Sequence, residues 1–289
     1  MYVNPRQTKP TAFNRLYSLF SLEKRNDRQL FVTNKRTYES KDVVLQYSNS
    51  SQLQKPEKAI LVYLSNRLKD MKMLDMGIGG GRTTCNFMNL VSEYVGIDYS
   101  EDMINACTDR FKGSPRNISF KVCDVRSMEM LKDNYFDFIL FSYNGLDSIS
   151  HEDRQIALKE IHRVGYSNGF FCFSAHNLLG IDRLLKVRLF MNPMKMYREM
   201  LRYFLLRFRY NRHTHFSELK NQDFAVINDG LHQFRSLTYY VKPKEQIRQL
   251  RRDFYNIRVF SLENGREIPD SSHLDHITDP WLYYLCRIK

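Results

Sequence analysis

The 289-residue sequence predicts an α/β fold with a doubly wound, mostly parallel sheet, and three observations carry that prediction. In LDMGIGGGRTT (74–84) an acid, Asp75, closes a short apolar run, and three glycines follow at alternate positions, Gly77, Gly79 and Gly81. A second apolar run, Tyr94 to Ile97, ends in another acid, Asp98. Two later segments, YFDFILFSYNGLDSI (135–149) and HRVGYSNGFFCFSAHNL (162–178), contain the unbroken apolar runs of strands covered on both faces by helices.

The first two observations describe a ligand site. A glycine at the end of a strand lets backbone N–H groups approach a ligand closely, and a carboxylate at the tip of the next strand can accept both hydroxyls of a ribose. A dinucleotide fingerprint would need a third glycine where this chain has Arg82, so that register fails. The pattern is instead D-x-G-x-G-x-G.

Taken in order, residues 1–54 are polar and basic with scattered aromatics, and read as an N-terminal arm or lid with a short helix around Ser40 to Tyr47. Within them, residues 1–22 hold Arg6, Lys9 and Arg15 without an acid, the composition of a disordered basic tail. Pro56 opens a helix whose Ile60, Leu61, Leu64 and Leu68 recur at helical spacing. Ser100 caps another, with Met103, Ile104, Cys107 and Phe111 on one face. ISFKVCDVRSM (118–128) alternates Ile118, Phe120 and Val122 as a third strand before Asp124, and a helix with Ala157, Ile161 and Val164 leads into the fifth. The stretch beginning LLGIDRLLKVRLF then shows two amphipathic helical patterns split by Asn192-Pro193, a strand-like LTYYV (237–241) and a helix over 243–254. NIRVFSL (256–262) and WLYYLCRIK (281–289) complete the sheet.

The glycine loop, Asp98, Asp124 and this order of elements resemble the class I S-adenosylmethionine-dependent methyltransferases, over roughly residues 55–178 and the last fifty. The resemblance implies a seven-stranded sheet with an antiparallel last strand. It divides the chain into an arm (1–54), a cofactor-binding core (55–178), a helical insertion serving as acceptor-site lid (179–242) and a C-terminal completion of the sheet (243–289). It implies S-adenosylmethionine as cofactor and S-adenosylhomocysteine as product, with contacts from Asp75, Gly77, Gly79, Gly81, Asp98, Tyr99, Met103, Asp124, Val125 and Ser142.

Composition is consistent with a chain that buries its own core: 43% of the residues are hydrophobic. The five cysteines are widely spaced without a C-x-x-C pair, which argues against a disulfide framework or zinc site and for a reducing, cytoplasmic setting. Net charge is +12, and it is uneven: 13 basic against 6 acidic side chains over 1–70, 11 against 14 over 71–177, and 20 against 12 over 178–289. Residues 183–212 alone hold nine basic side chains and one acid, Glu199. Such a face suits an anionic acceptor, nucleic-acid phosphates or an anionic membrane, peripherally bound, unless it is a solvated helix face.

Methyl transfer needs an acceptor held in line with a sulfonium methyl group and, for a hydroxyl or ammonium, a general base. The loops after the fourth and fifth strands offer Tyr143, Asn144, Asp147, His176 and Asn177, of which His176, just beyond a buried strand, is the leading base; His232 in the insertion is the second. His151 reads as a helix-cap residue, His162 as structural, and His213 and His215 as exposed surface. No histidine has metal-ligand spacing with carboxylates, so a metal-dependent reaction is disfavoured. The place after the fourth strand reads FSYNGLD, without the Asn/Asp-Pro-Pro-aromatic motif of enzymes that methylate adenine or amide nitrogen, and no RNA-binding module is attached. The expected acceptor is an oxygen or amine of a small or medium molecule: a secondary metabolite, a sugar or a lipid-linked intermediate. The rivals are an RNA or glycan polymer as acceptor, with nucleic acid disfavoured, and a catalytically silent binding protein of the same fold.

Overall fold

The computed structural model describes residues 30–48, 50–114, 117–269 and 272–289. The basic stretch 1–22 lies outside them. Helices span residues 30–38 (α1), Lys41–Ser48 (α2), Lys55–Leu68 (α3), Thr84–Phe87 (α4), Glu101–Arg110 (α5), His151–Val164 (α6), Asp182–Leu185 (α7), Pro193–Phe204 (α8), Phe216–Leu219 (α9), Leu231–Phe234 (α10) and Pro243–Leu250 (α11). The strands are Lys72–Met76 (β1), Glu93–Asp98 (β2), Ile118–Val122 (β3), Phe136–Phe141 (β4), Gly165–Asn177 (β5), Phe224–Ile227 (β6), Thr238–Val241 (β7), Phe254–Ser261 (β8) and Trp281–Ile288 (β9).

Strands β3, β2, β1, β4 and β5 lie side by side in that order and run parallel. The last strand, β9, runs antiparallel between β5 and β8, as the sequence implied. Alternate residues feed two cores: Leu74, Ile97, Ile139 and Phe171 pack on one face under α6, and Met73, Tyr94, Phe138 and Phe170 on the other against Ile60 and Leu64 of α3. Ser100 caps α5 by accepting the Met103 amide, as read from sequence.

The expected seven-stranded sheet with a helical insertion, in which LTYYV alone read as a strand, is corrected here. Strands β6 and β7 form an antiparallel pair inside it and bring the sheet to nine strands. The thirteen-residue β5 outruns β4, whose pairing with it ends at Phe141 opposite Phe173. Beyond that point β7 takes the vacated edge, pairing Tyr240 with His176 and Val241 with Asn177. His176 therefore has Trp281 of β9 on one side and Tyr240 on the other. The first of the two expected insertion helices is also much shorter than its amphipathic pattern: after α7 the chain is irregular until Asn192 accepts the Lys195 amide and Pro193 starts α8. Strand β3 sits at a sheet edge, so its alternation does not bury Val122, which is half exposed.

One buried charge ties these parts together. Asp147, in the turn after β4, accepts from the guanidinium of fully buried Arg154 on α6, and from both the backbone and ring N–H of His176. Arg154 also donates to Gln246 of α11 at 2.6 Å and lies over the Tyr239 ring of β7 at 4.3 Å. Removing one partner of a buried pair leaves an uncompensated charge, which costs about 3–5 kcal/mol. We therefore expect Arg154→Leu to lower the unfolding free energy by about that amount in urea denaturation, and Arg154→Leu with Asp147→Asn to recover part of it.

Candidate functional site

The carboxyl ends of β1, β2 and β4 open into a cavity whose floor is the glycine loop and whose roof comes from α1 and α2. The three glycines divide their work. A Cβ on Gly77 would meet the Phe141 ring at 2.7 Å, and one on Gly81 the Phe111 ring at 2.4 Å, so both are glycines because protein already fills the space. A Cβ on Gly79 would meet nothing nearer than Tyr47 at 3.7 Å, although its φ of +51° still favours glycine. Gly79 is thus the bare patch of backbone that faces the cavity.

Asp98 is anchored directly beneath it. Its carboxylate accepts the Gly79 amide at 3.0 Å and the Ser100 amide at 2.9 Å, which locks the loop to the tip of β2. Burial pushes its carboxyl up to about 6, against those two bonds. Each oxygen keeps a lone pair, so the group can still accept hydroxyls from a ligand. Asp75 is held differently: its carboxylate takes the hydroxyls of Thr83 and Tyr94, bracing α4 and β2 from behind, and burial lifts it also to about 6.

Asp124 lines the far end. Burial opposes its ionisation, but a bidentate pair with Arg126 overcomes this and holds the carboxyl below the usual range. Arg126 in turn bonds Asp153 at 2.8 Å and lies 3.8 Å over the Phe31 ring. The buried hydroxyl of Tyr99 has no hydrogen-bond partner among the described residues, an acceptor and donor left over at the wall. Met103, Val125, Ser142 and Tyr143 complete that wall, whereas Gly81 stays outside it, under Phe111 and Cys107.

Residues 1–54 were read from sequence as an arm or lid, but the arm's cavity-lining residues, and one side of the cavity, were not assigned. Tyr38 and Tyr47 close the cavity from above, and Asn34 clamps the roof by donating its amide to the carbonyls of Ser148 and Leu237, both at 2.8 Å, while accepting the Leu237 amide at 2.9 Å. Arg82, read only as a failed glycine, is buried in a bidentate pair with Glu57 at 2.6 and 2.7 Å and also donates to Ser142 at 2.8 Å. Its guanidinium lies 5.0 Å from the Tyr143 ring centroid. The scattered aromatics of residues 30–54 were the available signal for the roof.

The two candidate bases stand outside the cavity wall. His176 is spoken for on both nitrogens: Nδ1–H donates to Asp147 at 2.8 Å, so Nε2 accepts from the Asn144 side chain at 3.3 Å, the tautomer following from this network. Ser174 Oγ accepts the Asn144 amide at 2.7 Å. Together these bonds hold Tyr143 and Asn144 in left-handed backbone conformations, φ +58° and +61°, that point the Tyr143 ring into the wall. His232 sits in a turn with three consecutive left-handed residues, at φ +48°, +60° and +65° for His232, Gln233 and Phe234. Its ring packs on Tyr38 at 5.2 Å and Tyr47 at 6.1 Å, its buried Nε2 has no hydrogen-bond partner among the described residues, and burial lowers its pKa. His151 begins α6 and donates or accepts at the Tyr239 hydroxyl, while stacked on Phe224. Among the described residues no group of His, Cys, Asp and Glu is arranged to hold a metal ion.

Residues 73–169 match the family model described as a methyltransferase domain. Over 112 residues the chain is 33% identical to the ubiquinone biosynthesis O-methyltransferase of Pelagibacter ubique (strain HTCC1062), a match covering 38% of this chain and 44% of that protein; the chain thus spans less than half the length of this relative. The fold is similar to that of the N-methyltransferase NodS from Bradyrhizobium japonicum WM9, in complex with S-adenosyl-L-homocysteine, with a TM-score of 0.52 at 11% identity over 90% of this chain and 98% of that one. It is likewise similar to an S-adenosylmethionine-dependent methyltransferase from Mesorhizobium loti, with a TM-score of 0.52 at 14% identity over 80% and 97%.

Two measurements probe the floor of the cavity. Gly79→Val should abolish S-adenosylhomocysteine binding in calorimetry while far-ultraviolet circular dichroism stays unchanged, because the side chain would enter the cavity-lining face of the loop. Affinity in the parent protein should fall as pH drops through about 6, where Asp98 takes up a proton and loses its charge-assisted hydrogen bonds. Asp98→Asn should remove that pH dependence and weaken binding at pH 8 by about 1.5–3 kcal/mol.

Proposed function

We propose that this chain, whose residues 73–169 belong to the class I S-adenosylmethionine-dependent methyltransferases, transfers a methyl group to the hydroxyl oxygen of a small aromatic acceptor. The observation that carries the reading is the presence of two kinds of surface in one cavity. The same cavity is lined by the Asp98 carboxylate and the Gly79 backbone, against which Tyr47 rests, and by the rings of Tyr38 and Tyr143. The carboxylate and backbone suit the ribose and methionine parts of the cofactor. The rings offer flat, amphipathic faces to an unsaturated ring, for which edge-to-face and offset contacts are favourable. The name of the Pelagibacter relative, an O-methyltransferase, supports oxygen over amine as the acceptor atom.

Bound S-adenosylmethionine supplies a methyl group on a positively charged sulfur and leaves as S-adenosylhomocysteine. The protein's part is to exclude water and to hold the acceptor oxygen about 3 to 3.5 Å from that carbon, in line with the carbon–sulfur bond. The roof helices and the tyrosine rings perform both tasks. As the new carbon–oxygen bond forms, the acceptor's proton must leave, and His232 is the base we favour because, although outside the wall, its ring packs directly against Tyr38 and Tyr47, which line it. Its Nε2 has no hydrogen-bond partner among the described residues, and burial lowers its pKa, which favours the neutral imidazole. His176, with both nitrogens committed, is a positioning residue that sets the Asn144 turn and hence Tyr143.

His232→Gln should then lower kcat by about two orders of magnitude or more while S-adenosylhomocysteine affinity is kept. The pH profile supplies the sign. The neutral imidazole is the active form and burial lowers its pKa, so the acidic limb should lie below about 6.5, with activity lost as pH falls through it. His176→Gln should leave that limb in place and act mainly on KM and thermal stability. A limb that vanishes in His176→Gln and persists in His232→Gln would reverse the two roles.

A further inference from the structure

Helix α8 is amphipathic the wrong way round for a helix docked on its own protein. The face turned inward carries Glu199 and Arg202: Glu199 accepts the Arg188 amide at 3.1 Å and the Arg202 guanidinium at 2.7 Å, and Arg202 donates to the Leu184 and Lys186 carbonyls. The apolar face looks outward. Met194, Tyr197, Leu201, Phe204 and, in the π-helical turn that follows, Phe208 recur along one stripe, each between 42% and 64% exposed. The loop before the helix adds Leu189 and Met191, the first 86% exposed and the second wholly so. Isolated exposed apolar residues are ordinary, but a continuous stripe of this length marks an interaction surface.

Its charge identifies the partner. Lys186, Arg188, Lys195, Arg198, Arg209 and Arg212 are exposed along the same segment, and its one acid is turned inward. Apolar residues bordered by basic ones on a helix lying along the surface are what an anionic bilayer binds: the rings and methionines enter the acyl boundary while the cations meet phosphate headgroups. A second protein chain would need matching acids, and a second copy of this chain would bring the same surplus of positive charge to the contact. We propose that residues 186–212 form a surface that docks on an anionic lipid membrane. The surface also adjoins the cavity roof. Tyr210 stacks on Phe234 at 4.7 Å, within the same left-handed turn that carries His232 against Tyr38 and Tyr47. The docking itself does not depend on which reaction the cavity performs.

Co-sedimentation of the full chain with phosphatidylcholine vesicles, with and without phosphatidylglycerol, is the test. Binding should be at least about tenfold stronger to the vesicles with phosphatidylglycerol and should weaken as salt screens the charges. Leu201→Glu with Phe204→Glu should abolish it, and Arg198→Glu with Arg209→Glu should weaken it about tenfold or more. All four positions are exposed, so both variants should melt like the parent protein. No binding to either vesicle at low salt, or equal binding to both, overturns the proposal. So does a dimer in lipid-free sedimentation that Leu201→Glu with Phe204→Glu dissolves, since a second copy would then be the occupant. None of these readouts involves methyl transfer, so failure here and failure of the catalytic reading are separable.

Discussion

A single buried carboxylate, Asp147, sets the terms on which the rest of the molecule assembles. It follows β4 in the chain, yet its partners come from α6 and β5, and through Arg154 from α11 and β7. A charge in such a place is tolerable only when fully paired, so these elements must reach their places together. The insertion is thereby made part of the core instead of an appendage. The same pairing turns the His176 imidazole toward Asn144, and so braces the turn that puts the Tyr143 ring in the cavity wall.

Asp98 works on a smaller scale by a similar logic. It holds the glycine loop through the Gly79 amide while remaining a wall of the cavity. Binding and loop geometry therefore share one group, and burial places its ionisation within the range of ordinary buffers. Arg82 and Glu57 do for the neighbouring wall what Asp98 does for the floor, joining α3 to the loop and to Ser142.

The parts of this architecture that could be read from the sequence are those encoded by short-range spacing. The strand, turn and acid of 74–84 and 94–98 lie within a few residues of each other, and the apolar runs of β4 and β5 are long enough to identify by themselves. The roof was not legible in that way. Asn34 meets Ser148 and Leu237, more than a hundred residues off, and Tyr38 and Tyr47 carry no periodic mark that distinguishes a cavity wall from a solvated surface. Strand β6 is four residues long, too short for an alternation to stand out, whereas β7 falls within the strand-like LTYYV. In α8 the amphipathic period was visible, but periodicity does not say which face is turned inward. The surroundings of His176 were hidden for a related reason: its position after a buried strand was evident, while the two partners that occupy its nitrogens come from another loop.

The way β7 grafts onto the overhanging end of β5 has a kinetic corollary. A strand joined to the sheet by backbone hydrogen bonds, with Arg154 over its Tyr239 ring, opens only as the sheet itself opens. The cavity roof is fastened more lightly. Helices α1 and α2 are held there chiefly by side chains: the Asn34 amide, the Thr37 hydroxyl on the Arg235 carbonyl, and an exposed ion pair between Arg235 and Asp42. The cavity roof is thus joined to the sheet through the insertion, since Asn34 and Thr37 fasten α1 to the segment that leads into β7.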